Sequence, residues 1–264
     1  MAEPPPAPTD SLARLAREWD ELAEADALWA VLSTPDRKGG RWTVREFLAA
    51  GEQEIAEQLG RAHAIYGLPH SHGRALDFGC GAGRLVHALS PRFKRVVGID
   101  VSATMIGHAR RLTDGCDNVT VVVNTDRTLP FESGSFDFVY TSLVLQHVPT
   151  SEMVESYVRE LVRVTAPQGI AVLQAPHTIP FAYRLQPLRR TYGLLRKLGV
   201  PAQRLILRTP LQPMRMTALP RERFEAAVLA VGGELLGIEP DGAHGLRYTV
   251  TGPLHPGHFT NPSK

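Results

Sequence analysis

The stretch ALDFGCGAGRL, Ala75 to Leu85, decides the reading of this chain. It joins a short apolar run to a turn with glycines at Gly79, Gly81 and Gly83, and it holds an acid, Asp77, inside the apolar run. A dinucleotide-binding loop spaces its glycines as G-x-G-x-x-G, so that the third packs the helix on the strand while the helix N-terminus faces a pyrophosphate. Here the third glycine comes one position early and opens the helix. A carboxylate two residues before the first glycine would also repel a pyrophosphate. A second acid, Asp100, ends the next apolar run, RVVGID, where it can accept two hydrogen bonds from a ribose diol. Asp77 can orient the loop or answer an ammonium group through water. The two acids suit a cofactor with a ribose, a cationic amino-acid end and no phosphate.

Outward from this loop, strand-like and helix-like runs alternate. RALDFG leads to GRLVHALSPRF, RVVGID to SATMIGHARRLT, VTVVVN to a loop ending at Phe131, and FDFVYTSLVL to SEMVESYVRELVRVT before GIAVLQAP. Such alternation predicts a parallel sheet wrapped by helices on both faces. The end of the chain differs: GELLGIEP and LRYTVTG are joined only by DGAHG, so they pair as a hairpin and the last strand runs antiparallel. The expected fold is α/β, a doubly wound, mostly parallel sheet of seven strands. Before it, SLARLAREWDELAEADALWAVL and VREFLAAGEQEIAEQLGRAHAIYG have helical periodicity. The expected organisation is a disordered proline-rich tail over residues 1–10, a helical cap over 11–73, and a cofactor-binding domain over 74–264 with an insertion at about 176–220.

Composition sets limits on function. The chain has 264 residues, 43% hydrophobic and 21% charged, which predicts one globular core. No apolar run approaches the ~20 residues of a membrane span. The start MAEPPPAPTDS lacks the pattern of a secretory leader, and two cysteines, Cys80 and Cys116, fit a reducing compartment. The expected location is cytoplasmic. A net charge of +2 points to no nucleic-acid partner, and the ten scattered histidines have no metal-ligand spacing.

ALDFGCGAGRL, VVGIDVS and FDFVYTSLVLQHVP, in this order, resemble the class I S-adenosylmethionine-dependent methyltransferases over roughly residues 74 to 175. The segment from Trp19 to Glu52 is also similar, more weakly, to the N-terminal region of methyltransferases found among polysaccharide and natural-product genes. One departure is Pro167-Gln168-Gly169, where the family usually has P-G-G. The resemblance implies S-adenosylmethionine as the cofactor. It implies that Gly79, Cys80, Gly81 and Gly83 let the backbone approach its methionine and ribose, and that Asp100 holds the ribose diol. Val101 and Met105 would pack on adenine, Met105 having helix core as its other reading. Asp126, with Thr125 beside it, would meet the adenine amino group. Ser142 and Leu143 would line the methionine. His147 is either a general base for the acceptor or a residue that positions its loop.

Residues 176–220 hold eight basic residues and no acid. Leu188, Tyr192, Leu195 and Leu198 have helical spacing there. Three readings stand: a lid that presents Arg189 and Arg190, with His177 nearby, to an anionic acceptor; a face that rests on an anionic membrane; or a solvated surface. The first is favoured, and membrane contact is the lesser expectation. The expected function is methyl transfer to a small molecule, glycan end or lipid-linked sugar, at oxygen more than nitrogen. The alternative is a protein that binds S-adenosylmethionine without transfer, as a sensor or partner subunit. Aminopropyl transfer would require an acid cluster for a polyamine, which the basic insertion argues against. Sequence leaves the oligomeric state open.

Overall fold

The computed structural model describes residues 8–254. Strand β1 (Arg74–Phe78) is followed by helix α3 (Arg84–Leu89), β2 (Arg95–Asp100) by α4 (Ala103–Leu112), and β3 (Val119–Val123) by β4 (Phe136–Thr141). Helix α5 (Ser151–Val164) leads directly into β5 (Thr165–Pro176), and α9 (Arg221–Leu229) precedes the hairpin of β6 (Leu235–Asp241) and β7 (Gly245–Val250). Helices α1 (Pro8–Val31) and α2 (Val44–Tyr66) come before the sheet, and three short helices, α6 (Phe181–Leu185), α7 (Pro187–Lys197) and α8 (Ala202–Arg208), lie between β5 and α9.

The seven strands have the order β3-β2-β1-β4-β5-β7-β6, and only β7 runs against the others. This is the sheet expected from the alternation and from the short final link. Period-2 alternation feeds two cores. Leu76 and Phe78 of β1 face α5 and α9, whereas Ala75 faces α2, α3 and α4. The strand order reverses between β1 and β4, and at such a point a crevice opens beyond the carboxyl ends of the strands. Gln168, at the departure from P-G-G, lies exposed within β5 beside a register shift. The glycine that does matter there is Gly169, since a Cβ at that position would sit 2.8 Å from the Asp137 carbonyl oxygen.

Helix α1 is continuous from Pro8 except at Asp26, whose extended backbone breaks it. The Asp26 carboxylate then accepts hydrogen bonds from the Trp29, Gly39 and Gly40 amides, so it caps the second half of α1 and fixes the loop after it. Helix α2 starts at a capping box between Thr43 and Glu46. The helix onset at Pro8 falls inside the stretch expected to be a disordered tail; residues 1–7 of that tail lie outside the described residues.

The basic insertion does not have the expected form. Instead of one helix with its apolar stripe turned onto the site, it forms three short helices, of which α7 and α8 pack against α1. Tyr192 is buried there, and Leu205 and Ile206 join it in a core with Leu22 and Ala23. Its missing acids are supplied by α1. Glu18 pairs with both Arg189 and Arg215, and Glu21 pairs with Arg196 while accepting the Tyr192 hydroxyl at 2.6 Å. These pairs are largely shielded from water, so removing one partner strands the others. Glu18→Ala is expected to lower the unfolding free energy by about 2–3 kcal/mol and to speed hydrogen exchange in α7 and α8. Denaturant unfolding and exchange mass spectrometry check this; unchanged exchange in α7 would show that the pairs do not hold it.

Candidate active site

A cleft opens at the carboxyl ends of β1, β2 and β4 and encloses about 920 Å³, its open mouth included. Its floor is the loop after β1. Gly79 and Cys80 donate their amides to the Ile99 carbonyl at 2.8 and 2.9 Å, which folds the loop across the end of β2. Gly79 sits at φ +75°, and a Cβ there would come within 2.4 Å of the Val144 side chain. Only glycine lets these two loops meet.

Asp100 forms one rim. Its carboxylate accepts the Gly81 and Ser102 amides, each at 2.9 Å, one on each oxygen. Burial pushes its pKa up to about 6 against those two bonds, so it is mainly ionised at neutral pH. Each oxygen keeps a free lone pair, and the pair of them can accept two hydroxyls. Among the described residues no Lys or Arg lines the cleft, which leaves a pyrophosphate without a counter-charge. The residues present thus fit a nucleoside with a free diol and no phosphate.

The opposite rim carries Ser142 and Leu143. Leu143 has φ 62°, a left-handed conformation that is strained for a bulky side chain, and its amide donates to the Gln174 side-chain oxygen at 2.5 Å. Buried Gln174 of β5 fixes this bend. It stands in the apolar run GIAVLQAP, and one polar residue in such a strand is the signal that would have found it.

The roof is α1. Leu12, Leu15, Trp19, Ala30 and Val31 line the cleft, and the Trp19 ring meets His147 edge-on at 5.3 Å between centroids. Asp20 anchors the helix above β2: it accepts the Ser102 hydroxyl at 2.6 Å and the Thr104 amide at 3.0 Å. The periodicity of the N-terminal segment gave a cap; that the cap closes the cofactor cleft depends on Asp20, Glu18 and Glu21, whose partners lie far off in sequence.

His147 lines the cleft but is held from two sides. Its Nδ1 lies 2.7 Å from the Arg215 carbonyl, which can only accept, so that nitrogen carries the proton. Its Nε2 then accepts from the Gln146 side-chain amide at 3.1 Å. Burial lowers its pKa to about 4, far from the range of a general base at neutral pH. The geometry is that of a residue tying the loop after β4 to residue 215.

Of the other expected residues, Gly79, Gly81, Asp100, Val101, Ser142, Leu143 and His147 line this cleft. Several do not. Met105 is fully buried with Leu22, Trp29 and Phe47, which makes it helix core and removes it from an adenine contact. At Gly83, φ +91°, a Cβ would strike the Ala109 backbone at 2.9 Å; this glycine serves helix packing instead of ligand approach. Cys80 is buried, and burial raises its thiol pKa. Thr125 and Asp126 lie outside the lining, where Asn124 stands instead, one position after β3. His177 donates its amide to the His244 carbonyl and does not line the cleft. Arg189 is paired to Glu18, and with Arg190 it lines a separate basic groove on the outer side of α1. Neither faces an acceptor in the cleft.

Asp77 lies behind the wall, fully buried, and neither carboxylate oxygen makes a well-formed hydrogen bond. Burial pushes its pKa up to about 8, against the pull of nearby Arg84, which is itself paired to Glu54 at 2.7 Å. The two Asp77 oxygens stay without a partner behind the glycine loop that floors the cleft.

A family profile described as methyltransferase domain matches residues 76–173. An uncharacterised methyltransferase of Synechocystis is 34% identical over 39% of this chain and 47% of its own length. A demethylmenaquinone methyltransferase of Staphylococcus aureus is 35% identical over 38% of this chain and 41% of its own. The chain thus matches less than half the length of these curated relatives. Among solved structures, magnesium protoporphyrin IX methyltransferase of Synechocystis, described with bound SAH, aligns over 92% of this chain and 100% of its own. Its TM-score is 0.56 at 16% identity. A methyltransferase from Methanosarcina mazei aligns over 73% and 98%, with TM-score 0.53 at 17% identity. The fold is that of the class I S-adenosylmethionine-dependent methyltransferases.

Asp77 also makes a prediction about stability. A folded pKa near 8 against an ordinary value near 4 means that the folded protein binds more protons than the unfolded chain across this interval. Stability therefore falls as pH rises from about 4 to 8. Asp77→Asn is expected to flatten that slope and to match or exceed the parent's stability at pH 8. Unfolding measured across the pH range checks this; a slope equal to the parent's would place the proton elsewhere.

Proposed function

We propose that this chain, whose residues 76–173 form a class I methyltransferase domain, moves a methyl group from S-adenosylmethionine to an apolar small molecule through an acidic hydroxyl. The observation that carries the reading is Asp100: a largely ionised carboxylate with two free lone pairs, at the rim of a cleft that no cationic side chain lines among the described residues.

When bound, the cofactor supplies an electrophilic methyl on a sulfonium. The protein's part is to bind, to align and to exclude water. Asp100 holds the ribose diol, and Val101 packs beside it. The loop at Gly79 and Gly81, backed by Asp77, takes the amino-acid end. Leu12, Leu15 and Trp19 of the roof, with Leu143 and Val148 below, leave an apolar seat for the acceptor. Methyl transfer is an in-line displacement, and holding the reactants at the right distance supplies much of the rate.

The titratable residues of the lining narrow the acceptor. They are Asp100, Tyr157 and His147. Asp100 is engaged by two amides, Tyr157 donates to the Asp126 carbonyl and is pushed up to about 12, and His147 is pushed down to about 4. None removes a proton from an alcohol near neutral pH. The acceptor then brings its own nucleophile, which favours a phenol or enol oxygen over the hydroxyl of a sugar. An anionic acceptor held by arginines is likewise disfavoured, because Arg189 and Arg215 are occupied by Glu18.

Two measurements test this reading. Asp100→Ala is expected to weaken S-adenosylhomocysteine binding by about 1–3 kcal/mol, read by calorimetry on the folded variant. Equal affinity would sink the ribose assignment. His147→Asn is expected to keep kcat on a phenolic acceptor within about tenfold of the parent, since a working base contributes ~10²–10⁴. A larger fall in kcat at constant KM would make His147 the base. A parent that binds the cofactor and methylates nothing in a phenol, enol and amine panel would be a binding protein instead.

A further inference from the structure

Helix α7 has two apolar sides, and only one of them is covered. Tyr192 and Leu195 turn toward α1, on the side where Arg189 and Arg196 meet Glu18 and Glu21. Leu194 lies two positions from Tyr192, about 200° around the helix, and Leu198 follows one turn later. Both are exposed, Leu198 at 71%. Helix α6, just before α7 in the chain, also exposes large apolar side chains, Phe181 at 72% with Tyr183 and Leu185. Exposed apolar side chains of this size on two consecutive helices are unusual on a free surface, and they mark an interaction face.

The charge beside this face has one sign. Arg190 and Lys197, seven positions apart, flank the Leu194–Leu198 stripe and are both exposed. With Arg14 and Arg17 of α1 they line a groove in which, among the described residues, six cations stand with two acids, Glu18 and Glu21. Those two carboxylates are already taken by Arg189, Arg215 and Arg196, and Arg14, Arg17, Arg190 and Lys197 make no ion pair among the described residues. Exposed leucines of α7 thus stand beside free cations, Arg190 and Lys197 on the same acid-free helix and Arg14 and Arg17 on α1.

We propose that α6 and α7 dock this protein peripherally on an anionic lipid bilayer, with the apolar face entering the headgroup–acyl boundary and the free cations meeting lipid phosphates. Charge complementarity selects this occupant: an acid-free face of this kind matches a lipid interface rich in negative charge. A second copy of the chain would bring the same cations against themselves. The proposal does not depend on which molecule is methylated.

The test is co-sedimentation of the full chain with mixed phosphatidylcholine–phosphatidylglycerol vesicles and with phosphatidylcholine alone. Binding is expected only to the mixed vesicles, and added salt should release it. Arg190→Gln with Lys197→Gln should weaken that binding roughly thirty-fold, from the attraction of two cations near the surface. Leu194→Ser with Leu198→Ser should also weaken it, with a thermal unfolding curve like the parent's. The proposal is overturned if the parent ignores anionic vesicles, or if both double variants bind as the parent does. It is equally overturned if the leucine pair breaks a dimer of the parent that never binds vesicles; the face would then be a self-interface.

Discussion

Two carboxylates on α1 hold the functional half of this molecule together. Glu18 takes two guanidiniums, from Arg189 and Arg215, and Glu21 takes Arg196 and the Tyr192 hydroxyl. The insertion after β5 has cations and no anion, so alone it would repel itself. The roof helix has the matching acids. Each therefore fixes the other, and the closed roof makes a sheltered cleft out of the open edge of a parallel sheet. His147 belongs to the same arrangement, since its proton goes to the Arg215 carbonyl and ties the insertion to the loop after β4.

The sheet was fully legible in the sequence because its signals are local. Alternation of strands and helices, the glycine turn at Gly79 and the short link before β7 each depend on a few neighbouring residues. Asp100 was legible for the same reason: an acid ending the second strand of such a sheet can lie only at the ligand edge. What stayed hidden depends on pairs distant in sequence. Glu18 and Arg189 are 171 positions apart, and nothing near Arg189 announces its partner. The eight cations were therefore read as a free positive patch, when three of them are neutralised by α1. Of the two readings of Met105 the structure takes helix core, beside Trp29, and Gly83 serves close packing on Ala109; neither outcome is announced by neighbouring sequence. Trp19 was recognised as part of an apolar helix face. That this face covers the cleft required the Asp20 anchor on Ser102 and Thr104.

The chemistry follows from what the cleft lacks as much as from what it holds. A buried neutral imidazole near pKa 4, a tyrosine bonded to a carbonyl and an aspartate bonded to two amides cannot share out a proton from an alcohol. The pocket is instead apolar and rigidly shaped, with strain stored at Leu143 and Gln174 bracing it. In the proposed reaction such a site accelerates by placement, takes a nucleophile that arrives ready, and keeps the two reactants aligned and dry.

The central claim is that α1 roofs a nucleoside cleft whose rim is Asp100. Hydrogen-exchange mass spectrometry during titration with S-adenosylhomocysteine, with NAD as the competing ligand, tests it most directly. The account predicts saturable binding of the first ligand, with protection gathered in residues 12–31 of the roof, in the loop at 79–83 and around Asp100, and no protection by NAD. Protection by NAD, or binding that leaves the roof helix exchanging as before, would contradict it.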